Sequence, residues 1–254
     1  MSLPTSAAQR TPRRPGALAA QLQVELLLLL RQPENLLVIL ILPVLLLLFF
    51  AGLRVLPTRD GPPIYFLVPG ILTLAVMSTG MVTLGISTAY QRYYRVLKRL
   101  GGTPLTRRTL VVAKAGSVLV VEVGQVVLVL LIAHFGFHWH DRGSWWLAGA
   151  VVLLGSLTFA AIGLTMAGAL RAELTLGAAN GLYLLFLVLG GIAIPVSQLP
   201  GAIQPLARVL PAAALSTSLR AVLEGHALPA VPLALCLAWA AVAVGAAVSL
   251  FHWE

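Results

Sequence analysis

The sequence predicts an all-α membrane protein with six transmembrane helices, and three observations carry that reading. Of its 254 residues, 59% are hydrophobic and only 10% are charged, where a soluble domain of this length carries roughly 25% charged residues. Six apolar stretches reach the roughly 20 residues that a helix needs to cross a bilayer core about 30 Å thick. None of them alternates as a strand would, and an open sheet leaves its backbone unsatisfied in lipid.

Residues 1–15 form a basic tail with Arg10, Arg13 and Arg14. Arg13-Arg14 is followed by Pro15-Gly16, and Gln21, Gln23 and Glu25 interrupt the next apolar segment, so no cleavable signal or twin-arginine leader is expected. Over 16–33, Leu18, Leu22, Leu26 and Leu29 recur at helical spacing with Gln21, Glu25 and Gln32 on another side. This fits an amphipathic helix lying in the membrane interface and ending near Pro33. The spans lie at about 36–53, 64–89, 110–134, 145–170, 175–195 and 229–250, and Pro43 should kink the first.

Orientation is set by the cations. Twelve of the seventeen Lys and Arg fall on one side, six of them in the 90–109 loop. The positive-inside rule places that loop and both termini in the cytoplasm of a bacterial plasma membrane protein. The net charge of +9 could suit nucleic acid, but the basic residues flank apolar spans, so lipid is the expected partner. Residues 196–228 are too rich in proline and polar groups to cross, yet mostly apolar. Short helices at Ile203–Leu210 and Leu215–Leu223 would form a re-entrant segment buried against protein. A lone cysteine, Cys236, gives neither a disulfide framework nor a thiolate metal site within one chain.

Catalytic signatures are not found. There is no phosphate-binding Gly-x-x-x-x-Gly-Lys-Ser/Thr loop, no His-Glu-x-x-His and no Gly-x-Ser-x-Gly elbow. No catalytic residue and no metal site is assigned. His134 and His138 stand four apart, but with no third ligand they read with Trp139, Trp145 and Trp146 as an interface belt. Glu122 is the sharpest oddity. It lies near the middle of the third span, where an acid costs roughly 3 kcal/mol on an insertion scale, with Gln125 one turn away. It reads equally as a lining residue for cargo or protons and as one half of an interhelical hydrogen bond. Thr79 and Thr83 in the second span, with Gly80 and Gly85 beside them, and Asn180 in the fifth mark close packing or a cavity lining. Together Thr79, Thr83, Glu122, Gln125 and Asn180 are the candidate translocation path.

The order of parts resembles a type-2 ABC-transporter permease of the drug-exporter group. The resemblance runs through Arg31-Gln-Pro33, Pro43, Val68-Pro-Gly-Ile-Leu72 and Leu97-Lys-Arg-Leu-Gly-Gly-Thr-Pro-Leu105. It continues with Asn180, Gly190-Gly-Ile-Ala-Ile-Pro195, Gln198-Leu-Pro200, Leu210-Pro211, Leu219-Arg220 and Leu223-Glu-Gly225. It implies a pore made by two permease chains, as a homodimer or heterodimer. Two ATP-binding cassette subunits, which bind the ATP and Mg, would dock from the cytoplasm, and this chain would bind no cofactor. A helix at about 90–100 would be the coupling helix. Arg92, Tyr93, Tyr94, Arg95, Lys98 and Arg99 would face or flank the partner, and Thr103 and Pro104 would fix the turn into span three. The resemblance also implies that 196–225 is external and that an apolar gate lies near Ile192 and Ile194. Family members commonly carry Glu-Arg-Glu at the start of the loop, whereas this chain has Gln91-Arg92-Tyr93. The implied activity is export of a drug, an antibiotic or a lipid, with a lipid-linked glycan as another cargo class. An ion-coupled carrier or channel using Glu122 is the competing reading.

Overall fold

Long runs of Leu, Val and Ala without a strand period leave the helix as the only element that satisfies the backbone locally, and the regular structure of the described residues is all helical. The computed structural model describes residues 16–31, 33–53, 62–102, 105–140 and 142–250. The helices are α1 (Ala17–Leu30), α2 (Pro33–Leu53), α3 (Pro63–Met77), α4 (Leu84–Tyr93), α5 (Val96–Gly101), α6 (Arg107–Phe137), α7 (Trp145–Ala169), α8 (Ala172–Leu189), α9 (Gln204–Val209), α10 (Pro211–Leu223) and α11 (Ala230–Leu250). A π-helical turn, Ser78–Thr83, joins α3 to α4, and a 3-10 turn, Val196–Gln198, precedes α9.

Five segments among the described residues are long and apolar enough to cross a membrane: Pro63–Tyr93, Arg108–Phe137, Trp145–Ala169, Ala172–Leu189 and Ala230–Leu250. The chain is therefore a multi-pass membrane protein. The first expected span lies in α2, whose described apolar stretch, Ile39–Gly52, is shorter. Helix α2 runs through Pro43 and begins at Pro33, where a missing N–H costs nothing.

Two segments exceed their expected lengths. Pro63–Tyr93 is 31 residues long, about 46 Å at 1.5 Å per residue. Helix α6 is equally long at 31 residues, opened by Thr106, whose Oγ1 accepts from the Thr109 N–H at 3.1 Å. Apolar content sets what can lie in lipid, but it does not end a helix. The first runs on through Gln91 and Arg92 and the second begins as early as Arg107 and Arg108, polar residues outside the expected spans.

Helix α3 sits at the centre, buried from Leu67 to Met77, with α2, α6, α7 and α10 around it. Helix α10 is buried almost throughout and packs on α3, α7 and α11. Small residues allow a close approach between α7 and the π-helical turn. A Cβ on Gly163 would lie 2.8 Å from the carbonyl oxygens of Gly80 and Met81, and one on Gly85 would lie 3.0 Å from Gly163 O. Gly80 and Gly85 thus serve close packing, one of the two roles their sequence context allowed. Gly163→Val should force these backbones apart and destabilise the chain by about 1–3 kcal/mol, read as a lowered melting temperature in detergent.

Helix α1 turns its polar residues inward, and of the expected leucine stripe only Leu18 is exposed, with Leu22, Leu26 and Leu29 half-buried. In α1 the polar Gln21 and Glu25 are buried against the bundle, while Leu18, Val24, Leu27 and Leu28 are exposed. In a membrane the outward face meets lipid, so the polar side is the one that needs a protein partner. The end of the fifth span differs as well. Helix α8 stops at Leu189, and Gly191 adopts φ 67°, a left-handed conformation that glycine enters without strain. Ile192 and Ile194 therefore lie beyond the helix rather than on it.

Candidate functional site

The basic loop is two helices and a corner. Helix α4 ends at Tyr93, and Arg95 takes φ 57° before α5 begins. A single helix over 90–100 does not form, because this non-glycine residue holds the left-handed turn. Leu97 is fully buried in a cluster with Leu84, Leu110 and Val118, which anchors α5 to α4 and α6 and turns its cations outward. Lys98 and Arg99 are exposed, and Tyr93 and Tyr94 are 60% and 65% exposed. With Tyr90 they form a ring cluster: Tyr94 stacks on Tyr90 at 6.2 Å and meets Tyr93 edge-on at 5.2 Å. The result is an outward patch of two aromatic rings beside Arg95, Lys98 and Arg99.

Arg92 does not belong to that patch. Its guanidinium turns inward and donates to the carbonyl oxygens of Gly168 and Leu170 at the end of α7, where terminal carbonyls lack intrahelical partners. Thr103 and Pro104 lie outside the described residues.

Behind the patch is a buried polar junction that sequence reasoning did not find. Lys114 Nζ donates to Glu25 Oε2 at 3.0 Å and to Gln91 Oε1 at 2.6 Å, and Gln21 Nε2 donates to Glu25 Oε1 at 2.9 Å. The Lys114 and Glu25 side chains are 1% and 8% exposed. This junction ties α1, α4 and α6 together directly beneath the corner. Gln91 is a neutral acceptor for a lysine whose counter-ion is already Glu25. The available signals were the i, i+4 pair Gln21 and Glu25 and a lysine inside an apolar helix. Their meeting across 89 positions has no sequence signature.

The candidate path divides into separate groups. Thr79 Oγ1 donates to Gln125 Oε1 at 2.6 Å, and Gln125 Nε2 donates to Ile39 O at 2.7 Å, so Gln125 bridges α2, α6 and the π-helical turn. Glu122 instead points to α7, where Oε1 accepts from Ser156 Oγ; Oε2 is buried without a hydrogen-bond partner among the described residues. Glu122 and Gln125 thus bond to different neighbours. Thr83 is half-buried, because the π-helical turn rotates the four-residue stripe off one face. Asn180 is exposed on α8 and donates to Leu176 O at 2.9 Å, away from the others. Gln125→Leu should strand the Ile39 carbonyl, while Thr79 Oγ1 keeps its bond to Ala75 O at 2.9 Å, and cost about 1–3 kcal/mol, measured as a melting shift that Thr79→Val reproduces only in part.

At the opposite end from the basic patch, α10 latches the turn after α8. Ser216 Oγ donates to Gly190 O at 2.8 Å and Arg220 Nη2 to Gly191 O at 3.2 Å. The Arg220 guanidinium lies 4.1 Å from the Phe66 ring centroid, a cation–π contact. Burial pulls its pKa down to about 10, with Glu224 opposing that shift, so it stays cationic near neutrality. Ile192 is buried and Ile194 exposed, so the two expected gate residues do not face one space. Nearby, His134 Nδ1 lies 3.1 Å from Trp139 O and His138 closes α6 with φ 55°.

A family model described as ABC-2 type transporter matches residues 17–223. A protein of Bacillus subtilis (strain 168) with the provisional name transport permease YvfS is 29% identical over 145 residues, covering 54% of this chain and 56% of that relative. The match thus spans little more than half of the relative's length.

Proposed function

The chain belongs to the ABC-2 type transporter family, and on that premise we propose that it is the membrane-spanning permease subunit of an ATP-driven exporter. It is a membrane transport permease by kinship. Its cargo is a hydrophobic or amphipathic molecule such as a drug, an antibiotic or a lipid. Six spans, counting α2, would leave both ends of the chain on one side, and the positive-inside rule assigns that side, with the basic corner, to the cytoplasm of a bacterial plasma membrane. The segment 196–228 then lies at the outer side as a re-entrant pair.

The observation that carries the reading is the outward patch on α4 and α5. Tyr93, Tyr94, Lys98 and Arg99 are exposed where the Pro63–Tyr93 segment ends, on a corner anchored by Leu97. Two ATP-binding subunits, each with ATP and Mg, dock there. Closure of that pair pushes on α5 and, through the Glu25–Lys114–Gln91 junction, on α1, α4 and α6. This is a mechanical route for a two-state change driven from outside the chain.

A second permease chain completes the pore. Helix α8 leaves Gly177, Asn180 and Gly181 exposed, with nothing near the two glycines. A Gly-x-x-x-Gly face with an amide beside it suits close helix association in lipid. The ion-coupled alternative draws on Glu122 and requires no ATPase. The two readings part in vesicles that contain the chain with its ATP-binding subunit. Exporter function predicts uptake of a fluorescent lipophilic probe that needs ATP hydrolysis and survives collapse of the proton gradient. Uptake that tracks the gradient without ATP would support the carrier.

A further inference from the structure

Helices α6 and α7 are consecutive in the chain, yet a groove of about 310 Å³ opens between them. Its walls are apolar, with Val123 from α6 and Val152 and Leu153 from α7, and Leu219 of α10 closes the back. Val123 and Leu153 are exposed, so the groove faces the outside of the bundle, where lipid would lie. Trp145 stands in its lining, and so does Glu122, the one titratable carboxyl there among the described residues.

Glu122 is only 1% exposed. Ser156 satisfies Oε1, and Oε2 has no partner among the described residues. A purely structural link between α6 and α7 would need only the Oε1 bond, which an uncharged amide could also accept. A second carboxyl oxygen left bare in an apolar setting is costly. A donor arriving along the groove removes that cost, and a cationic donor removes it best, because charge-assisted bonds to carboxylate are the stronger kind.

We propose that the groove is a lateral binding site for a single-chain amphiphile with a protonated amine head. The head binds Glu122 Oε2 and the chain lies along the apolar walls. The volume is at the small end of pockets that hold drug-sized ligands, which suits one alkyl chain rather than a two-chain phospholipid. A fatty acid of the same length is disfavoured, because it brings a second acid and no base to pair with Glu122. The inference deepens the exporter reading by naming a class of cargo, and rests on that reading only for the direction of travel.

The test is equilibrium binding to the full chain in lipid nanodiscs without any ATP-binding subunit. The probes are a brominated tetradecylamine and a brominated tetradecanoic acid, and the signal is quenching of tryptophan fluorescence. The amine should quench saturably, and Trp145→Phe should remove the saturable part. Glu122→Gln should weaken amine binding about tenfold, the scale of one charge-assisted bond, with little change in melting temperature. Ser156→Ala keeps the carboxylate and should retain binding, which guards against a Glu122 variant that folds poorly. Equal saturable quenching by amine and acid, or unchanged amine affinity in Glu122→Gln, would overturn the site and leave the exporter reading intact. Binding that persists in a chain showing no ATP-driven uptake would remove the exporter reading alone.

Discussion

Replacing Lys114 with Ala is expected to destabilise the chain by about 3–5 kcal/mol, the cost of breaking a buried ion pair from one side. The ammonium lies 3.0 Å from Glu25 Oε2, with both side chains nearly closed to solvent. Its removal leaves a carboxylate whose remaining partner is the Gln21 amide. It also frees Gln91, so α1 and the end of α4 lose their common anchor on α6. Removing both charges has a different consequence. The double variant Glu25→Leu with Lys114→Met substitutes apolar groups of similar size, and such replacements are often neutral or stabilising. Its melting temperature should return to near that of the parent, whereas Lys114→Ala should lower it by several degrees or more. Additive losses in the double variant would show that the two residues do not act as a pair.

Charge reversal on the exposed corner should be the most damaging change for transport. Lys98→Glu with Arg99→Glu is expected to lower ATP-dependent uptake at least about tenfold, since like charges brought together at an interface cost several kcal/mol. Both residues are exposed, so the melting temperature of the isolated chain should move little, surface changes usually lying within about 0.5 kcal/mol. Arg92→Ala offers the contrast. Its guanidinium holds the end of α7, so uptake should fall together with stability. Uptake is measured beside melting for each variant. Full uptake in the Lys98 and Arg99 double variant would remove the corner from the coupling route.

The helices were legible because lipid imposes one rule on the backbone everywhere, and apolar length alone satisfies it. Helices α6, α7 and α11 come directly from that rule, and so does the polar character of the loop before α6. Contacts between distant segments were less visible. Glu122 stood out as an acid in a span, but Ser156 offered no sign of being its partner among many small polar residues. Lys114 stands as a lysine inside an apolar helix, and only folding places Glu25 beside it. Helix α1 turns Gln21 and Glu25 to protein for the same reason, a partner on a distant helix, while of the expected leucine stripe only Leu18 is exposed and Leu22, Leu26 and Leu29 are half-buried. The corner at Arg95 was hidden because a left-handed residue is usually announced by glycine or asparagine, and here an arginine holds it. Arg92 was grouped with its neighbours by charge, whereas one turn of helix directs it inward to carbonyls.

Site-specific cross-linking from Tyr94 tests the central claim most directly. Cys236 is buried in α11, so a Tyr94→Cys chain offers one accessible thiol on the exposed corner. A short thiol cross-linker applied to membranes that contain the ATP-binding subunit should join that position to it. The yield should change when a non-hydrolysable ATP analogue closes the ATP-binding pair. Cross-links that form from Trp146→Cys at the opposite end of α7, and none from Tyr94→Cys, would contradict the account.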